Sequence, residues 1–330
     1  MNAIATWWQA RCAGSAAFRL VDTNLRGIGQ VMFQDNPLSG ALFLAAIAWG
    51  AYSAGTPEVL YGGLVGVVAA TLAALGLRVA SVPLRSGLYG FNGFLLGLAL
   101  ATFITPGPLL WVYVVLGAAV SVVVMAATVR VAASWDMPAL TFPFVIVTWM
   151  LLLATYAFGG LSGDALPTAS VVAPFEPVVS PPWDIGTFFG AVMLSISQVF
   201  LKASVIASLL FLAGLAVNSP AASVAALAGA SLAVITAHLL GAESDLITGG
   251  LLGFSPVLTA VALGTVFNRP SVRVAVYAGL ATVFTVVAQA ALNVALTPLA
   301  VPALTMPFVL VTWMFLLPQM ALKDSDSANA

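Results

Sequence analysis

The sequence predicts an all-α integral membrane protein made of two inverted-topology repeats, each with about five crossings. Three observations lead there: an apolar composition, a series of apolar runs of spanning length, and an internal duplication whose loop charges change sign between copies. Of the 330 residues, 62% are hydrophobic and 6% charged, too little polar surface to solvate a globule of this size. A hydrocarbon core about 30 Å thick takes about 20 apolar residues of helix. Such runs cover 59–77, 87–104, 109–129, 139–158, 221–240, 246–266, 274–296 and 300–317, with shorter or more broken ones at 41–54 and 188–217. Lipid offers the backbone no hydrogen-bond partners, and the runs lack the alternation of barrel strands, so the spans are read as helices.

Self-comparison reveals the duplication. Residues 138–150 read PALTFPFVIVTWM and 302–314 read PALTMPFVLVTWM, eleven matches in thirteen positions. Gly87-Leu88-Tyr89-Gly90-Phe91 recurs as Gly250-Leu251-Leu252-Gly253-Phe254, and Ile28-Gly29-Gln30-Val31 as Ile196-Ser197-Gln198-Val199. The three pairs share offsets of 163 to 168, so one duplication explains them all. Chance likeness among apolar helices is a poor competitor, because Gln, Thr, Pro and Trp recur in register.

Loop charges relate the copies. Arg11, Arg19, Arg26, Arg78, Arg85 and Arg130 belong to the first half, whereas the second carries Glu176, Asp184, Glu243 and Asp245 in the corresponding stretches. With positive residues marking the cytoplasmic side, the halves are upside down relative to one another and both termini are cytoplasmic. Arg269, Arg273 and Lys323 fit this scheme; Lys202 does not, and is expected at a helix end from which it snorkels to the interface. The expected organisation is a cytoplasmic segment 1–16, membrane repeats 17–158 and 185–320, an extracytoplasmic Pro-rich linker 159–184 and a tail 321–330. The first residues lack the continuous apolar core of a signal peptide. A lone Cys12 and a lone His238 make neither an internal disulfide nor a metal site, and a net charge of −1 leaves no nucleic-acid footprint. No cofactor and no nucleic-acid partner are expected.

Ionisable residues inside spans normally mark function, and here the runs 59–77, 246–266 and 300–317 hold none. That argues against proton relays, ion coupling and a charged substrate. What remains is uncharged polar groups repeated in both halves: Gln30 with Gln198, and Thr141 with Thr305. Helix-to-helix hydrogen bonding is the alternative role for such groups. Symmetric placement favours a shared site near the midplane, where inverted repeats meet. Thr141 lies between Pro138 and Pro143, and Thr305 between Pro302 and Pro307. A helical Pro frees the carbonyl four residues earlier, so both Thr are expected beside a broken helix with spare acceptor oxygens. Pro37 is a third breaker, equally well explained as an ordinary helix end. Phe91 and Leu95 share a helix face, as do Phe254 and Leu258, and each pair follows a Gly-rich stretch that permits close backbone approach.

With these residues assembled, the chain resembles the urea transporter family, and specifically its bacterial members. The likeness rests on QVMFQDNPLSG from Gln30, LYGFNGFL from Leu88, and the paired LTFPFVIVTW and LTMPFVLVTW, and extends over about residues 17–317. It implies ten membrane helices plus two tilted re-entrant ones, which are either 17–36 or 87–104 in the first half. It further implies facilitated diffusion of urea through a pore in each subunit of a homotrimer, set in lipid of the cell inner membrane. By matching position, Phe91, Leu95, Phe254 and Leu258, with Phe33, Val199 and their counterparts Leu201 and Val31, resemble a slot for flat urea. Gln30, Gln198, Thr141 and Thr305 resemble the polar groups along its edge. Family members often carry a carboxylate at one Gln position, where this chain has amides at both. The rival reading is an ammonia or water channel, or one for another small amide; its usual paired pore histidines are missing, since His238 is matched by Leu75. An intramembrane enzyme lacks a nucleophile with a base or metal.

Overall fold

A computed structural model describes residues 3–163, 166–171 and 182–327, with side chains described from Thr6 to Pro318. Among these, every regular element is helical, and one isolated antiparallel bridge pairs Ile104 with Gly163. The first half runs α1 (Ala3–Gly14), α2 (Ala16–Gln30), α3 (Pro37–Ser53), α4 (Pro57–Gly76), α5 (Ser81–Arg85), α6 (Phe91–Phe103), α7 (Pro108–Ala132) and α8 (Phe142–Thr155). The second runs α9 (Ile185–Ser197), α10 (Val205–Asn218), α11 (Pro220–Leu239), α12 (Ser244–Thr248), α13 (Phe254–Val261), α14 (Val272–Leu296) and α15 (Met306–Ser327). The series from α2 to α8 thus recurs from α9 to α15, element for element in the same order. Linker residues Pro174, Glu176, Pro177 and Pro181 lie outside the described residues.

Four helices, α4, α7, α11 and α14, are long and apolar enough to cross a bilayer; the segment Ile185–Phe200, which contains α9, and α10 meet at a 70° bend. The remaining apolar runs are shorter as helices than as sequence, because backbone breaks interrupt them. The breaks are paired: Phe33 (φ 63) with Leu201 (φ 56), Asp136 (φ 49) with Ala300 (φ 53), and Leu140 with Leu304 (both φ 51). A left-handed turn stops a helix of L residues outright. After the first break Asn36 caps α3 by accepting from Leu38 N and Ser39 N, with Pro37 in the first turn. Pro37 is therefore an ordinary helix start. Ser204 caps α10 in the same way, accepting from Ala207 N. At the other end of the chain α15 continues to Ser327, into the segment 321–330 expected as a tail.

Small residues set the closest packing. Gly62 and Gly66 of α4 face Gly97 and Gly93 of α6, so that a Cβ on Gly62 would lie 2.4 Å from Gly97 O and one on Gly66 2.1 Å from Gly93 O. Two GxxxG stripes here bring backbones together without a driving force from water. The halves join through α3 and α10: Phe43 contacts Phe200 and Phe211 with centroids 5.5 Å away, and those two stack at 4.4 Å. Phe43 and Phe211 are themselves counterparts. Contacts between counterparts are what a two-fold rotation between halves produces. On the outside, Leu72, Val112, Val123, Leu227, Leu280 and Phe284 are exposed, an apolar surface suited to lipid.

Lys202 departs from expectation. It is only 5% exposed, and a Cβ on Gly50 would meet its Cδ at 3.0 Å. The glycine leaves a groove along α3 that takes the lysine stem, so the side chain is tucked inward and lines a cavity with Glu58 instead of snorkelling.

Gly66→Val is expected to overpack the α4–α6 seam and destabilise the protein by about 1–3 kcal/mol or more. Thermal unfolding in detergent, followed by size-exclusion chromatography, checks this; an unchanged midpoint would mean the seam is looser than its geometry.

Candidate solute-binding site

The same irregular turn opens α8 and α15. Leu140 and Leu304 occupy the left-handed region at φ 51, a conformation costing a residue with a Cβ about 1–2 kcal/mol, and each precedes a buried threonine. Thr141 stands at the N-cap of α8, yet its side chain makes no capping bond. Its hydroxyl instead shares a 2.6 Å hydrogen bond with the hydroxyl of Thr305. Such backbone strain persists only where the surroundings enforce it. They do so reciprocally here: Trp149 Nε1 donates to Pro302 O at 2.8 Å, and Trp313 Nε1 donates to Pro138 O at 2.8 Å. Each half thereby holds the other's turn.

The spare oxygens lie one residue along from where proline chemistry placed them. Ala139 O and Ala303 O, four residues before Pro143 and Pro307, accept from Phe142 N and Met306 N, because the turn tightens enough to close on them. Leu140 O and Leu304 O accept no backbone hydrogen bond among the described residues. In the first half Phe144 N, the donor that a continuous helix would aim at Leu140 O, is diverted to Asn92 Oδ1 at 3.1 Å.

The two glutamines are fixed alike. Gln30 Nε2 donates to Ser86 O at 2.9 Å and Gln198 Nε2 to Gly249 O at 3.1 Å, and these carbonyls are again counterparts. With the nitrogens tied, each Oε1 remains an acceptor that receives no hydrogen bond among the described residues. Arg26 clasps the loop after Gln30, meeting Asp22 and Asp35 carboxylates at 2.7 Å each. The second half has Leu194 and Ala203 at the matching positions of Arg26 and Asp35.

A cavity of about 340 Å³ opens beside the threonine pair. Leu95, Gln198, Val199, Leu201, Phe254 and Thr305 line it, and no lining residue is ionisable. The other expected residues lie outside that lining. Thr141 reaches it through Thr305; Val31, Leu258 and Phe91 are buried at 2%, 0% and 6% exposure; Phe33 closes edge-on against Phe267 and Phe308 at 5.9 and 6.2 Å. Gln30 sits with them at the end of α2. The structure thus gathers the second-half set except Leu258, together with Leu95, around open space, and packs the rest of the first-half set more tightly.

The family model described as urea transporter matches residues 21–320. This chain belongs to the urea transporter family. It is 29% identical over 341 aligned positions to urea transporter 1 of sheep (Ovis aries), and 28% over the same length to that of goat (Capra hircus). It is 29% identical over 329 positions to urea transporter 1 of mouse (Mus musculus). Each alignment covers 96% of this chain and 81% of the relative. The family is one of transporters, so this urea transporter family member is a membrane protein with no catalytic role.

Several residues of this urea transporter family site escaped the sequence reading. Trp149 and Trp313 recur in register, and that was a signal, but their partners are set by tertiary packing alone. Asn92 gives no sign of capping a turn 52 residues away. Gln289 and Asn293 of α14, and Thr297 just after it, also line the cavity; their spacing of four along an apolar run was readable as one polar face. His238, by contrast, packs its ring against Trp183 at 4.4 Å, away from the cavity lining.

Trp149→Phe and Trp313→Phe each leave a proline carbonyl unpaired, and each is expected to lower stability by about 1–3 kcal/mol. Thermal midpoints in detergent should fall by similar amounts. A shift in one variant without the other would break the equivalence of the two turns.

Proposed function

We propose that the protein is a passive channel for urea, one pore per subunit, in a homotrimer of the cell inner membrane with both termini cytoplasmic. The observation that carries this reading is the Thr141–Thr305 hydrogen bond, in which uncharged groups from equivalent positions of both halves meet beside a cavity without ionisable lining. A two-fold axis lying in the membrane plane would bring them together there, which is the arrangement of inverted repeats. Ten crossings then follow, with α2 and α9 as the re-entrant helices. Each is short, and each ends at a left-handed break before the next helix, the second with a 70° bend; this favours 17–36 over 87–104.

The chemistry suits urea, which is flat and neutral and carries one strong acceptor and two NH2 groups. Stripping its water costs several kcal/mol, on the order of 2–7 per polar group, unless replaced. Gln198 Oε1, Leu304 O and Thr305 Oγ1 offer acceptors for the NH2 groups on one side, and Gln30 Oε1, Leu140 O and Thr141 Oγ1 offer the same series on the other. Phe91, Leu95, Phe254 and Leu258, with Val31, Phe33, Val199 and Leu201, form the apolar walls that match its thin shape. A neutral ladder binds weakly enough to release, as conduction requires. Without a charged group in the route there is nothing to couple to an ion gradient, so flux runs down the urea gradient.

Stopped-flow measurement of urea flux in proteoliposomes tests this directly. Thr141→Val and Thr305→Val keep side-chain shape and remove an oxygen, and each should lower flux about five- to tenfold with assembly intact. Full flux in both variants would remove the threonines from the pore. Phe91→Ala should weaken discrimination between urea and bulkier amides. Rapid ammonia or water flux with no saturable urea flux would favour the rival channel.

A further inference from the structure

The groups described above serve chiefly as acceptors for the NH2 end of urea; the donors among them are the second N–H of each glutamine and the one hydroxyl hydrogen the threonine pair leaves over. The lining of the same cavity holds a further donor for the carbonyl oxygen of urea. Gln289, Asn293 and Thr297 are four residues apart and all line the cavity. Gln289 is 1% exposed, its Oε1 accepts from Ser255 Oγ at 2.6 Å, and its Nε2 donates to Asn293 Oδ1 at 3.1 Å. Thr297 Oγ1 donates to Asn293 O at 2.7 Å. These bonds polarise the stripe in one direction. Each of the two amide oxygens already accepts one hydrogen bond, while Asn293 Nδ2 donates to no group among the described residues. Asn293, a lining residue, is thus left with both amide N–H groups unpaired.

The counterpart wall of the first half cannot do this. α7 and α14 correspond with an offset of 164, which places Met125, Val129 and Ala133 at the positions of Gln289, Asn293 and Thr297. The register is confirmed by contact: Asn92 Nδ2 approaches Met125 Sδ at 3.8 Å where Ser255 meets Gln289. One half has an apolar wall and the other a donor wall.

We infer that Asn293, held by Gln289 and Thr297, forms a one-sided docking station that binds the carbonyl oxygen of a planar amide and orients it before the threonine turn. The station rests on the urea-channel reading and adds to it an asymmetry between the two mouths. The second-half mouth captures the solute; the first-half mouth only passes it.

The test is Asn293→Val, which installs the residue of the other half, assayed in proteoliposomes. The half-saturating urea concentration should rise about fivefold, the weight of one ordinary hydrogen bond. Thiourea, whose sulfur is a poor acceptor, should compete with urea at a concentration changed less than twofold. A general disturbance of the cavity would move both constants together, and that result, or no change in either, would overturn the station. Should Asn293→Val fail to assemble, Asn293→Asp keeps the bond from Gln289 while removing the Nδ2 donors, and the same split between urea and thiourea is expected. Absence of urea flux in the unaltered protein would sink the channel reading itself, whereas intact flux with an unshifted urea constant in the variants would sink the station alone.

Discussion

A buried hydroxyl is costly to leave without a partner, and in this chain Thr141 and Thr305 find each other. Much of the architecture follows from making that meeting possible. Each threonine is delivered by a left-handed leucine, each leucine turn is pinned by an indole from the opposite half, and neither pin exists unless both halves are in place. The local strain is thus offset by contacts across the duplication, and the centre of the molecule forms only when the halves dock.

Much of this was legible in the sequence. The duplication, its register and the identity of the central threonines came from two nearly identical segments, because a repeat under common constraints repeats its unusual residues. Helix ends were less legible. The apolar run 87–104 looks long enough to span, but the helix begins only at Phe91, since Gly87 at φ 77 breaks what hydropathy alone would join. Lys202 was misplaced for a related reason: its groove is created by Gly50, a residue 152 positions earlier by numbering, and no local pattern encodes it. The spare carbonyls were expected for the right cause and at the wrong residue. Proline rules say that a donor is lost, whereas the neighbouring turn decides which oxygen goes unpaired.

The two halves agree in backbone and differ in side chains. Equivalent glutamines hold equivalent carbonyls, and equivalent caps start α3 and α10. Yet the loop after Gln30 is clasped by Arg26 and two carboxylates, while its counterpart has only apolar residues in those places. Phe33 packs into an aromatic cluster where Leu201 borders open space. Symmetry therefore supplies the frame, and departures from it give each face of the molecule its own character.

The glycine seam between α4 and α6 carries such a departure. Gly62, Gly93 and Gly97 correspond to Ala225, Pro256 and Ala260 in the second half, and only Gly66 keeps its counterpart, Gly229. Copying the second sequence onto the first would set a methyl 2.4 Å from Gly97 O. The two halves are therefore not interchangeable at this seam: a residue that the second half accommodates has no room in the first unless the two backbones move apart.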